Sequence, residues 1–470
     1  MSKIINKSEG FEKTLSKKDI FALAFGAMIG WGWVVLTGEW IQKAGALGAI
    51  ISFILGGFMI LFVGLTYAEL TAAIPENGGA SVFTERAFGW KASFLSSWAI
   101  ILGYVSVVAF EAVAFPTVLE YFIGGSYMQG YLYTIQGYDV YASWIGVGVI
   151  SSIGVTIVNY FGTKNVAFIQ TACTVFIALV GIALFGGSLS NSSVETMQPL
   201  FTGGMKGIFG VAVMTPFMFM GFDVIPQAAE EMNVPYKKIG KIMILAVVMA
   251  VLWYIMIIFS VTNSLTNAEI LGSQMVTADA MKKIYGGSTF ASKILVLAGL
   301  SGIITSWNAF FIGGSRAIQS MAEKGRLPQF LGKVHPKYHT PSNAILLIGG
   351  VATLAPLFGR NMLVWLVNAG SFTVIIAYFM VGLSFVKLRH SEPELVRPYK
   401  IKQWKFVGSM AIFLTGALFV LFLPGFPSAM SWPYEWGIIV GWFALGFVFY
   451  LNVQLKSEKA LEHLVRIKIK

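Results

Sequence analysis

Charge is scarce in this chain, and cysteine and histidine scarcer still. Asp, Glu, Lys and Arg make up 12% of the 470 residues, against a hydrophobic share of 56%. Soluble domains carry roughly twice that charge, so an ordinary domain folded in water is excluded. The one cysteine, Cys173, rules out an intramolecular disulfide and argues against a thiolate metal site. The four histidines, His335, His339, His390 and His463, fall in or beside polar connections at no metal-binding spacing. No His/Asp/Glu cluster or Ser–His pairing lies inside the apolar stretches, so an intramembrane enzyme has no residues to stand on. The first apolar run lacks an A-x-A site and is broken by glycine, unlike a cleavable leader.

What the chain does have is a series of twelve segments free of Asp, Glu, Lys and Arg: 20–38, 44–68, 92–110, 140–163, 165–194, 207–222, 242–268, 294–315, 340–359, 361–386, 406–434 and 436–455. Each is close to the roughly 20 apolar residues that carry a helix across hydrocarbon, and the mean hydropathy is +0.73. The third is expected to run on past Glu111 toward Tyr121, because Ala112–Leu119 stays apolar. With the N-terminus inside, 27 of the 33 lysines and arginines fall on the inner side. The net charge of +11 therefore reads as the positive-inside asymmetry, not as a nucleic-acid patch. Lys13, Lys17 and Lys18 form a basic segment ahead of the first span, facing anionic lipid.

This pattern predicts an all-α polytopic membrane protein of twelve transmembrane helices, in a plasma (inner) membrane, with both tails cytoplasmic. The expected division is a tail at 1–19, a first five-helix unit at 20–190, a second at 206–389, two peripheral helices at 406–455 and a tail at 456–470. Five spans per half makes the second half enter from the opposite side, an inverted repeat. Two outer loops are longer than a turn. The one at 122–140 is rich in Gly and Tyr and suits the membrane interface, whereas the one at 264–290 has helical spacing and can cap a vestibule.

Two spans are interrupted. The first carries G-A-M-I-G-W-G at Gly26–Gly32, and the sixth ends in P-F-M-F-M-G-F before Asp223. Each glycine costs a helix about 1 kcal/mol relative to alanine, and Pro216 removes a backbone donor. Such segments either pack closely through small residues or unwind. Unwound backbone presents N–H groups to a carboxylate and carbonyls to an ammonium group or a cation. Matched breaks in two halves point to a transport site.

Buried acids in a membrane are costly and usually functional. Glu111 can titrate as a proton relay, neutralise a cationic substrate, or sit solvated in a vestibule. Glu39, Glu69 and Asp223 lie nearer span ends, where solvation or helix capping accounts for them. Glu230 and Glu231 are expected beside Lys237 and Lys238.

The strings G-A-M-I-G-W-G, P-E-N-G-G-A-S-V-F at 75–83, G-F-D-V-I-P-Q-A-A-E-E at 221–231 and G-G-S-R-A-I-Q-S-M-A-E-K-G-R-L-P at 313–328 resemble the amino acid–polyamine–organocation permeases. That family has the inverted-repeat fold of the bacterial leucine transporter, with helices 1 and 6 broken. The resemblance implies that Ile29, Gly30, Trp31 and Gly32 receive a substrate carboxylate. It places Phe217 as an aromatic gate, Met218, Phe219 and Gly221 on the amine side, and Pro75–Ser81 in the inner gating loop. Trp31 departs from the small or hydroxyl residue often found there. Its indole either fills the site, presents a face to a cation, or turns into packing.

For coupling, the resemblance implies a sodium site at Gly26, Ile29, Ala298, Ser301 and Gly302, with Thr305 and Ser306 a turn away, or a proton on a carboxylate such as Glu111. Uncoupled exchange is a third possibility. The lysine that some members place in span 5, near Phe176–Ile177, is absent. No organic cofactor is expected; the coupling ion, if any, is sodium or a proton. The partners are a small amino acid or amine and the lipid bilayer. The reading is a secondary transporter of an amino acid or related amine, with a polyamine or organic-cation carrier as the alternative and a transporter-like nutrient sensor as a remote one.

Overall fold

A computed structural model describes residues 15–162, 166–191 and 195–468. Lys13 and the rest of the first fourteen residues lie outside the described residues, as does the side chain of Glu230. Among the described residues, eleven helices are long and apolar enough to cross a membrane: Lys17–Val35, Ala46–Ala73, Trp90–Ile123, Ala142–Phe161, Phe168–Ser188, Gly204–Ala229, Tyr236–Ser264, Thr289–Glu323, Met362–Ser391, Trp404–Leu421 and Tyr434–Leu455. A shorter apolar element, Ser342–Phe358, fills the gap between the eighth and ninth of these. Counted in chain order they are spans 1–12, the short one being span 9. The protein is thus an all-α polytopic membrane protein.

Burial divides the spans into a centre and a rim. In the most apolar window of span 3, 94% of residues are buried, as in span 6, but only 11% are in span 12. Span 3 reaches Ile123, past Glu111, as its apolar continuation predicts. Leucines, phenylalanines and isoleucines on spans 4, 5, 11 and 12 are left exposed, which in hydrocarbon costs nothing. Spans 11 and 12 lie at the periphery. The helix of span 12 continues without a break to Lys468.

Both long loops have structure. Residues 267–272 and 276–284 are helical, and the second helix lies across the C-terminal half of span 1. Thr277 Oγ1 donates to Val34 O at 3.2 Å, and Val276 packs against Gly38. The 122–140 loop holds a hairpin that apolar periodicity did not reveal: β1 (Tyr131–Ile135) and β2 (Tyr138–Tyr141), antiparallel. Gln136 and Gly137 at its tip have φ of 46° and 78°, the left-handed pair that a two-residue hairpin turn requires. Tyr133 Oη, donating to Leu357 O at 2.5 Å, pins it to the end of span 9.

The basic end of the bundle is cross-braced by ion pairs. Glu69 of span 2, expected near a solvated end, is 1% exposed. It takes Arg389 Nη2 of span 10 at 2.5 Å, Arg397 Nε at 3.2 Å and the Ile401 N–H at 2.8 Å. Helix Ala80–Phe88, which follows the P-E-N-G-G loop, ties span 8 to span 10. Glu85 pairs with Lys324 at 2.5 Å and with buried Arg326, while Arg86 grips Glu392 at 2.7 Å. Glu231 binds Arg316 of span 8 at 2.6 Å, not the lysines that follow it in sequence.

Removing one member of a buried ion pair strands the other and costs roughly 3–5 kcal/mol. Glu69→Gln is therefore expected to lower the unfolding temperature in detergent by several degrees, and an unchanged melt would show that the Glu69 cluster contributes no stability. A second expectation concerns pH. Burial opposes charge on Glu85, but the hydrogen bond from Lys324 and the charge of Arg326 outweigh it and hold the carboxyl below its usual range. A carboxylate depressed in the folded state contributes stability above its unfolded value and loses it as pH falls. Melting temperature should drop below about pH 4.5, and Glu85→Gln should flatten that limb of the curve.

Candidate functional site

The interruptions read from the sequence are real breaks. Span 1 is helical over Lys17–Met28, leaves the helix at Ile29–Trp31, and resumes at Gly32. Span 6 is helical over Gly204–Ala212, makes one turn at Thr215–Met218 and continues as a 3-10 helix from Phe222. Gly221 has a φ of 141° and sits so close to span 1 that a Cβ would stand 2.9 Å from Ala24 O. Only glycine satisfies that turn and that approach together.

Between the two breaks lies a small cavity of about 20 Å³, room for little more than one water molecule. Span 1 contributes Ala27, Met28, Gly30 and Gly32; span 3 contributes Val107, Phe110 and Glu111. Phe217 and Met218 come from span 6, Tyr254 from span 7, and Ser306 and Phe310 from span 8. Its wall is apolar apart from the backbone of the break, Glu111, Ser306 and Tyr254. No lysine, arginine or histidine is among the described residues lining it.

Glu111 is fully buried on the break in span 1. The Ser306 hydroxyl donates to its Oε1, the Trp31 backbone N–H is directed at its carboxyl group, and Oε2 has no hydrogen-bond partner. A Cβ on Gly30 would come within 2.7 Å of both Glu111 Oε1 and Ser306 Oγ. The absence of a side chain at Gly30 is what lets the carboxyl reach the backbone. Tyr254 Oη donates to Met28 O at 2.7 Å, occupying a carbonyl freed where the helix ends.

The eight residues expected to bind substrate divide evenly. Gly30, Gly32, Phe217 and Met218 line the cavity; Ile29, Trp31, Phe219 and Gly221 do not. The Trp31 indole turns away: Nε1 donates to Thr117 Oγ1 at 3.1 Å, and the ring fills the space a Cβ on Gly299 would need. Of the open readings for Trp31, packing is the one the geometry supports. Phe219 packs edge-on against Phe53 and Tyr254, and the Ile29 carbonyl lies against Gly302. Phe217 stands 5.6 Å from Phe110, ring to ring, and its N–H donates to Ser371 Oγ at 3.1 Å.

Of the coupling candidates, Glu111 is in the cavity wall and Ala298 is buried without a side-chain oxygen. Thr305 Oγ1 donates to Gly26 O at 2.9 Å. Ser301 bonds to Leu297 O within its own helix, on the exposed side. Asp223, expected near a solvated or capping position, is fully buried. Its Oδ1 accepts from the Gly221 N–H at 2.8 Å and its carbonyl accepts from Tyr104 Oη at 3.1 Å. With Tyr67, Tyr378 and Phe222 ring to ring, this layer lies on the basic-end side of the break in span 6. Tyr254, Phe110, Phe310 and Val107 escaped sequence reasoning because uninterrupted helices carry no mark of which face meets a cavity.

A buried cavity between two broken helices in a polytopic bundle defines a membrane permease. The amino acid permease family model matches residues 15–449, and the chain belongs to that family. It is 26% identical to the branched-chain amino acid permease BcaP of Bacillus subtilis, over 95% of both chains. It is also 26% identical to the methylthioribose transporter of that organism, over 96% of both. Identity to its aspartate-proton symporter is 25%, over 91% of this chain and 82% of that one. The protein is an amino acid transporter and not an enzyme, and the relatives do not favour a polyamine carrier.

Phe217→Ala is expected to reduce uptake about tenfold, the loss of one aromatic contact of roughly 1.4 kcal/mol, with Phe217→Leu intermediate. Uptake into proteoliposomes, normalised to folded protein by size exclusion, measures it. Normal kinetics in a well-folded Phe217→Ala protein would remove Phe217 as the aromatic gate that the resemblance implies.

Proposed function

We propose that the protein carries a neutral, aliphatic amino acid together with a proton by alternating access. The main-chain groups of the substrate bind at the breaks, its carboxylate on the Gly30–Gly32 backbone and its ammonium on carbonyls of span 6. Its side chain lies among Val107, Phe110, Phe217 and Phe310, with Phe217 and Met218 as the lid. The apolar wall supports an uncharged side chain, as does similarity to a permease named for branched-chain amino acids. The closed ion pairs at the basic end and the helix across span 1 at the other are consistent with an occluded state. Opening inward then breaks Glu231–Arg316. The basic end faces the cytoplasm across a plasma membrane, with spans 1–5 and 6–10 as the two inverted halves.

One observation carries the proton: the carboxyl of Glu111 lies on the backbone donors where the substrate's carboxylate must sit. Two carboxylates cannot share one site while both are charged. A proton on Glu111 removes the repulsion and gives it a donor, so the substrate and the proton bind as a pair.

The first test is thermal stabilisation of purified protein by a panel of amino acids and amines across pH, since a ligand of the folded state raises stability by mass action. Leucine, isoleucine or valine is expected to stabilise it, more strongly at acidic pH. Glu111→Gln is expected to bind without that pH dependence and to exchange substrate, yet fail to accumulate it when driven by a pH gradient. Stabilisation by amines alone would sink the carboxylate cradle; proton-driven accumulation by Glu111→Gln would sink the role of Glu111.

A further inference from the structure

Span 12 is the least buried of the long spans, with 11% of its most apolar window covered, yet a built contact holds it to span 3. Trp98 and Trp442 lie flat against each other, ring centroids 4.3 Å apart at 15°. Each indole N–H donates to the other residue's carbonyl, both at 2.9 Å. Gly446 makes the room: a Cβ there would fall among the atoms of the Trp98 indole. Indole N–H groups away from water need such partners, so the stack fixes where the two helices meet.

From this stack toward the basic end the seam carries a groove of about 230 Å³. Phe94, Leu95 and Trp98 of span 3 line one side, and Phe443, Phe447 and Tyr450 of span 12 the other. Phe94 and Trp98 are buried while Leu95 and Phe447 are exposed, so rings form the floor and open side chains the rim. Trp90 stacks on Tyr450 at 5.4 Å, an aromatic pair of the kind that marks the membrane interface. Lys91 is the groove's charged lining residue, and it is exposed. From Lys91 to Trp98 the helix rises roughly 10 Å, enough for a segment of one acyl chain.

Within hydrocarbon an apolar groove has little reason to prefer one chain over another, since lipid tails are as apolar as the side chains. Selection has to come from the head group, and there the charge is one-sided. Glu85 is held by Lys324 and Arg326, and Glu392 by Arg86. Lys91 has no ion pair among the described residues, and it stands in the first turn of span 3, where the helix dipole adds to its charge.

We infer that the seam between spans 3 and 12 binds one anionic phospholipid from the leaflet at the basic end, with an acyl chain in the groove and the phosphate on Lys91. A zwitterionic phospholipid offers the same chain but brings a cation to the same lysine. The bound lipid completes the packing of peripheral span 12 against span 3, the span that carries Glu111. It acts on the stability of the bundle and needs no substrate, so it stands apart from the transport reading.

The experiment is native mass spectrometry of delipidated protein titrated with phosphatidylglycerol or phosphatidylcholine of identical chains, with thermal unfolding of the same samples. Wild type is expected to retain one phosphatidylglycerol roughly fivefold more tightly, the preference that one lysine near an anionic surface gives, and to melt higher with it. Lys91→Gln should remove the preference and Lys91→Arg keep it. Lys405→Gln, which removes another exposed lysine, should change neither. Leu95→Trp, which fills the groove, should lower retention of both lipids. Equal retention of the two lipids by wild type, or an undiminished preference in Lys91→Gln, would overturn the inference. So would a wild-type dimer that excludes the lipid, which would give the seam to a second copy of the chain.

Discussion

Backbone N–H and C=O groups have no water to bond with inside a membrane, and each one left unpaired costs several kcal/mol. A helix broken at mid-depth must therefore find substitutes for its lost hydrogen bonds within the protein. Most of what is distinctive here supplies them. Tyr254 donates to Met28 O and Thr305 to Gly26 O. Asp223 accepts the Gly221 N–H, and the Trp31 N–H is directed at Glu111. The cavity is what remains between the two breaks once those groups are paired.

The same constraint explains why buried carboxylates appear in two different roles. Glu69 is surrounded by two guanidinium groups and a backbone N–H, so its charge is matched and it braces the basic end. Glu111 and Asp223 have only neutral donors. A matched charge locks, whereas a carboxylate with neutral partners can exchange a proton. Sequence position did not separate these cases, because the arginines that meet Glu69 come from span 10 and the connection after it, about 320 residues away.

Much of the architecture was legible because the bilayer simplifies the code. Long charge-free runs, the excess of lysine and arginine on alternate connections, and the glycine and proline clusters each reflect one strong physical demand. The short ninth span and the 276–284 helix were visible in the same terms. The β1–β2 hairpin was not, because its tyrosines lie in an exposed ribbon with no core to impose a pattern. The site was half legible. Gly30, Gly32, Phe217 and Met218 stand in the cavity wall, while Trp31 and Phe219, adjacent in sequence to wall residues, point elsewhere. Along unwound backbone, helical periodicity no longer says which way a side chain points.

The sequence alone determined that this chain crosses a membrane many times and that spans 1 and 6 break, since composition and local propensity decide those matters, while its motif strings carry the resemblance to amino acid permeases. Only the tertiary structure decided which groups fill the breaks. It put Glu111 against Gly30, buried the Trp31 indole over Gly299, and set Asp223 beneath the cavity. Each of these depends on residues far apart in the chain meeting across helix faces, and no local pattern encodes which faces meet.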